Sequence, residues 1–112
     1  MYMLEKNFKQ KVRKRLNSVP DLYYFVKEAV AIRGIPDIIG CYKGTFFAWE
    51  LKRSEKEANK KTGRIVLQRH NLSKIKSSGG IGEIVYPENF ECAFSSLIDH
   101  LPTSASTTRK NP

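Results

Sequence analysis

The stretch from Gly34 to Lys52 constrains the fold more than any other part of the chain. It reads Gly-Ile-Pro-Asp-Ile-Ile-Gly-Cys-Tyr-Lys-Gly-Thr-Phe-Phe-Ala-Trp-Glu-Leu-Lys, two segments rich in aromatic and β-branched residues about a central Lys43-Gly44. Gly at the second turn position accepts positive φ, so the pattern predicts a β-hairpin with a two-residue turn, its type left open by Lys at the first position. Folding back about that centre sets Cys41 opposite Phe46, Ile39 opposite Ala48 and Asp37 opposite Glu50. Side chains alternate across a strand. One face therefore carries Asp37, Ile39, Cys41, Phe46, Ala48, Glu50 and Lys52, and the other Ile38, Phe47, Trp49 and Leu51.

Two carboxylates facing each other on a largely apolar strand pair repel. Buried without a partner, they cost several kcal/mol or force one to take a proton. A divalent cation removes the conflict, and hard ions such as Mg²⁺ favour carboxylate oxygens. Lys52 adds an ammonium group on the same face, two residues beyond Glu50. The hairpin thus reads as a metal site, held by Asp37 and Glu50 with the backbone carbonyl of Leu51 as the expected third ligand.

These residues also resemble a known family. Pro36-Asp37, then twelve residues, then Glu50-Leu51-Lys52 is similar to the signature of the PD-(D/E)xK nuclease superfamily. The flanking Arg33-Gly34-Ile35 and the later Gln68 make it most similar to the VRR-NUC and archaeal Holliday-junction-resolvase-like branches. The resemblance runs from about Glu5 to about Tyr86. It implies a restriction-endonuclease-like α/β core, a mixed β-sheet flanked by helices. It also implies Mg²⁺-dependent hydrolysis of DNA phosphodiesters, with Mn²⁺ as a substitute, leaving 5′-phosphate and 3′-hydroxyl ends. Lys52 would then orient or deprotonate the attacking water, or stabilise charge at phosphorus.

The remaining chain supplies the other elements. Leu4, Phe8, Val12 and Leu16 recur every fourth residue and predict a first helix from Leu4 to Leu16. Glu5 falls on its apolar face, and the resemblance implies that it joins the metal shell; a helix-start Glu favoured by the macrodipole is the plainer reading. Pro20 ends the first segment, and Leu22 to Ala29 predicts a first strand with Tyr23, Phe25 and Lys27 on one face. Lys27 reads equally as a phosphate contact or as an exposed edge lysine. Residues 53–63 are polar, charged and aperiodic, which predicts a mobile loop. Arg33, Arg53, Lys60, Lys61 and Arg64 are candidate contacts to nucleic-acid phosphates, against the alternative of a solvated charged surface.

Leu67 to Ser77 predicts a second helix closed by Gly79-Gly80. Gln68 lies on its inner face with Leu72 and Ile75. The resemblance implies that Gln68 sits near the metal and the scissile phosphate; otherwise it is a buried Gln with ordinary partners. Ile81 to Tyr86 predicts a fourth strand, and Phe90, Phe94, Leu97, Ile98 and Leu101 a closing helix. The order is helix, three strands, helix, strand, helix, and it matches the α-β-β-β-α-β core of the family. Residues 1–101 make one domain, and the Ser/Thr-rich tail 102–112 is expected to be disordered.

Charge narrows the partner. Twenty Lys and Arg against eleven Asp and Glu leave a net charge of +9, which points to a polyanion, nucleic acid first. No apolar run approaches the ~20 residues of a membrane span, and no signal-peptide segment is evident. Cys41 and Cys92 have no metal or redox spacing, so reduced thiols in a cytoplasmic setting are expected. His70 and His100 are isolated and too few for a zinc site. The expected function is a structure-selective endonuclease on branched DNA, acting as a homodimer because one chain holds one centre. An inactive nucleic-acid-binding module of the same fold is the alternative. A small structural basic protein would explain the charge but not Asp37 and Glu50.

Overall fold

The structure is a computed structural model and describes residues 5–27 and 34–100, with side chains from Lys6 onward. Helix α1 spans Glu5–Asn17, and strand β1 spans Leu22–Val26. Strands β2 (Ile38–Tyr42) and β3 (Thr45–Leu51) form the hairpin. A short helix α2 (Glu55–Ala58) precedes the long helix α3 (Gly63–Ser77), strand β4 (Ile81–Val85) and helix α4 (Phe90–Asp99). The four strands form one mixed sheet in the order β1-β2-β3-β4, flanked by helices.

The hairpin turn has φ of 49° at Lys43 and 83° at Gly44. Both central residues are left-handed, which is the primed turn geometry that matches strand twist. Its register sets Cys41 against Phe46 and Ile39 against Ala48. β1 adds antiparallel to β2, with Phe25 opposite Ile39. β4 adds parallel to β3, with Glu50 opposite Ile84. A parallel neighbour needs a long crossover, and α3 is that connection.

Strand alternation divides the protein into two layers of packing. Ile38, Phe47, Trp49, Leu51 and Val85 project to one face and meet Phe8, Val12 and Leu16 of α1 and Phe90, Ala93 and Leu97 of α4. Phe90 is the hub, edge-on to Phe8 at 5.9 Å and to Trp49 at 6.2 Å between ring centroids. Each such aromatic or aliphatic side chain, fully buried, contributes roughly 1.5–3 kcal/mol. The opposite face holds Ala48 and Glu50 and receives α3. The approach there is close: a Cβ on Gly82 would lie 2.7 Å from the Leu72 carbonyl oxygen.

The segment 53–63 departs from the expected mobile loop. Ser54 Oγ accepts the Glu57 N–H at 3.2 Å and starts α2, and Ala58 is buried. The Arg69 guanidinium on α3 donates to the Ala58 carbonyl and ties α2 down. α3 itself starts one turn before the predicted Leu67, because the Thr62 hydroxyl caps the Ile65 N–H. A side-chain cap stabilises a helix start by about 1 kcal/mol, enough to order a segment with no apolar stripe of its own. α1 and β4 follow their predicted spans closely. Strand β1 ends at Val26, short of the expected Ala29; Ala29, the expected helix start at Leu4, Arg33, the expected last helical residue Leu101 and the tail 102–112 lie outside the described residues. No described helix is long and apolar enough to cross a membrane, and both cysteines are free and exposed.

Candidate active site

Asp37 stands immediately before β2, and four hydrogen bonds and one ion pair hold the turn it occupies. Its backbone carbonyl accepts the Lys27 N–H at 2.8 Å. Its carboxylate Oδ2 accepts the Leu51 N–H at 2.8 Å. Lys27 Nζ donates to the Ile35 carbonyl at 3.0 Å and lies 4.0 Å from Asp37 Oδ1. From the other side, Asn71 Nδ2 on α3 donates to the Gly34 carbonyl at 2.9 Å. Gly34 has φ of 79° and meets Asn71 and Leu67 so closely that no side chain fits there. Backbone, lysine and helix thus agree on one position for the Asp37 carboxylate.

Glu50 lies near the end of β3 and is 3% exposed. The hairpin register that pairs Ile38 with Trp49 brings Asp37 and Glu50 side by side at the next step. Lys52 Nζ is 3.4 Å from Glu50 Oε2, whereas Glu50 Oε1 is buried without a hydrogen-bond partner. Burial, and then the Asp37 charge, push the Glu50 carboxyl up to about 7, against partial relief from Lys52 and Lys27. The Lys52–Glu50 contact alone would lower the value, so desolvation wins here. Gln68 points inward from α3 and is also 3% exposed, and its Oε1 is a second buried acceptor without a partner.

The orphaned Oε1 of Glu50, on one of two opposed carboxylates, is the observation that tests a metal against these residues, and Gln68 Oε1 is a second orphan on α3. Each unmet buried acceptor costs roughly 1–3 kcal/mol, and a hard cation satisfies oxygens where a proton donor is lacking. Among the described residues no three His, Cys, Asp or Glu side chains converge on one point. Asp37 and Glu50 alone fall short of such a cluster, and an ion held by two carboxylates takes its remaining ligands from water or substrate, as Mg²⁺ does. The oxygens that would take Mg²⁺ or Mn²⁺ are those of Asp37 and Glu50.

The other expected residues fall in three groups. Glu5 is the first residue of α1, with its side chain outside the described residues. Lys27 is half-buried and engaged beside Asp37. It belongs with the carboxylates and is not an exposed edge lysine. Arg53 and Lys60 approach the Glu57 carboxylate at 3.6 Å and 3.1 Å on the surface around α2. Lys61 and Arg64 are exposed at the start of α3. Arg33 lies outside the described residues. Asn71, which braces the approach to Asp37, escaped the sequence reading. Its signal was its place three residues after Gln68, on the inner side of the same helix. Compared with protein-family models, curated proteins and solved structures, the chain matches none.

Proposed function

We propose that this chain is a metal-dependent endonuclease of the PD-(D/E)xK type, acting on branched DNA such as a Holliday junction. The observation that carries the reading is the opposed Asp37–Glu50 pair, with unpartnered buried oxygens on Glu50 and Gln68, in a chain of net charge +9. A basic binding protein has no use for desolvated paired carboxylates. The mixed sheet with the order α-β-β-β-α-β-α is compatible with a restriction-endonuclease-like core.

In this reading Asp37, Glu50 and the Leu51 carbonyl hold Mg²⁺, with Glu5 joining them from α1. Bound Mg²⁺ supplies Lewis acidity and neutralises charge developing on a phosphodiester. Lys52, held by Glu50, faces the same space. As the ammonium it donates to a non-bridging phosphate oxygen, or as the neutral amine it takes a proton from the attacking water, and the pH profile of Lys52→Arg separates these roles. The Gln68 carboxamide offers N–H donors to the phosphate and Oε1 to a water. Lys27 keeps Asp37 in place. Arg33, Arg53, Lys60, Lys61 and Arg64 take the flanking phosphates. One chain holds one centre, so cutting both strands of a junction takes two copies, most simply a homodimer.

The test is cleavage of labelled four-way junction, flap and linear duplex DNA with Mg²⁺ or Mn²⁺, comparing the native chain with Asp37→Ala and Glu50→Ala. The native chain cuts and both variants bind without cutting, with rates down by about 10³-fold or more. Equal behaviour of all three proteins assigns any cutting to a contaminant. Binding with no cutting under either metal replaces this reading with the inactive binding module.

A further inference from the structure

The sheet face that carries Glu50 is covered over only part of its width. α3 lies against β3 and β4, where Leu72 meets Gly82 and Ile75 meets Gly80. Beyond it, β1 and β2 turn aromatic side chains to solvent. Tyr23 is 75% exposed, Phe25 55% and Phe46 45%. Strand pairing arranges this face in rows. Tyr23, Cys41 and Phe46 form one row, and Phe25, Ile39 and Ala48 the next. The row after that is Lys27, Asp37 and Glu50, continuing the same register. Successive rows are about 6.7 Å apart, twice the rise per residue of a strand. A shallow hollow between Tyr23, Phe25, Cys41 and Phe46 follows the first two rows. Lys74 borders an adjoining hollow beside Phe46.

We propose that this face is a stacking platform for the unpaired bases of a single-stranded nucleic acid, which runs along β1 toward Lys27 and the carboxylates. Flat side chains exposed on a sheet stack bases of any identity, because every base has a π-face. The spacing of Tyr23 and Phe25 on one strand places two rings in line, with Phe46 beside them two strands away. The border is cationic at Lys74, and the whole chain carries +9, which complements a phosphate backbone.

A second copy of the chain is the other occupant such a face could take. At ~200 Å² per aromatic side chain, the three exposed fractions amount to roughly 350 Å². That is under half of the ~800 Å² each partner gives to an interface of standard size. Two chains of +9 would also repel across it. Area and charge both favour the polyanion. Only the direction of the strand toward Asp37 and Glu50 rests on the nuclease reading; the stacking itself does not.

The experiment measures binding of the full chain, in EDTA, to labelled oligodeoxythymidylate and to an abasic backbone of equal length. The native chain binds the base-bearing strand about tenfold or more tightly than the abasic one. Tyr23→Ala and Phe25→Ala each lower the first affinity by about tenfold and leave the second unchanged, whereas Phe25→Trp retains it. Both positions are exposed, and unchanged far-UV circular dichroism verifies folding. Equal binding of the two strands by the native chain overturns the platform, as does an equal loss on both in the Ala variants. A native dimer that the Ala variants dissociate in sedimentation overturns it in favour of a contact between copies. Base-dependent binding without any cleavage leaves the platform standing and removes the nuclease; cleavage without base dependence does the reverse.

Discussion

Burial and the Asp37 charge raise the Glu50 carboxyl from its ordinary 4.5 to about 7, although Lys52 lies 3.4 Å away. Between those two values the folded chain keeps a proton that the unfolded chain has released. The stability this group contributes is therefore fully present below about 4.5 and is lost as pH rises through about 7. The loss amounts to at most about 3 kcal/mol. Urea midpoints of the metal-free protein are expected to fall between about pH 5 and about pH 8, and Glu50→Gln abolishes that fall. The same variant is expected to be more stable than the native chain at about pH 8, by ~1–3 kcal/mol, because it removes a desolvated and repelled charge. On the proposed metal-site reading Mg²⁺ competes with the proton for the same oxygens, so it is expected to raise the native midpoint at that pH and to leave Glu50→Gln unmoved. The opposition of Asp37 and Glu50 was legible from the turn position alone. The Leu51 N–H to Asp37 bond was not, because it depends on how the chain enters β2.

At the scale of elements, α3 both closes the sheet and carries the inner residues Gln68 and Asn71. Its seat is a backbone contact at Gly82, where a Cβ would lie 2.7 Å from the Leu72 carbonyl oxygen. Backbone on both sides cannot yield as a flexible side chain does. Gly82→Ala is expected to cost about 1–3 kcal/mol and, on the nuclease reading, to lower cleavage by shifting Gln68; denaturation and cleavage assays of one preparation measure both. Thr62→Ala removes the cap of α3 and costs about 1 kcal/mol with no change in metal affinity. The start of α3 and the existence of α2 were written in Thr62 and in Ser54-Glu-Lys-Glu57, a capping signature. High charge and the lack of an apolar stripe hid them. The hydrophobic pattern reports burial against a sheet, whereas a capped surface turn is held by hydrogen bonds.

For the whole molecule, the net charge of +9 sets how it would meet the nucleic-acid partner proposed above. Binding to nucleic acid is expected to weaken steeply with salt, and Lys61→Gln or Arg64→Gln each to reduce the slope of log K against log salt by about 0.7–1. Substitutions at Tyr23 or Phe25 leave that slope unchanged, since stacking releases no counterions. Anisotropy titrations across a salt series separate the two classes.

The sequence by itself determined the order of the four strands and the three main helices, the hairpin register and the apolar residues of the core. These follow from local rules: alternation across a strand, four-residue recurrence along a helix, and a turn that accepts positive φ. Tertiary structure decided which charged groups lose their water. Asp37 and Glu50 pair by register, but only α3 packed on β3 and β4 buries Glu50 and leaves its Oε1 and that of Gln68 unpartnered. The same packing leaves Tyr23 and Phe25 bare. Which part of a face a helix covers depends on the crossover from β3 to β4, a long-range relation that no local pattern encodes.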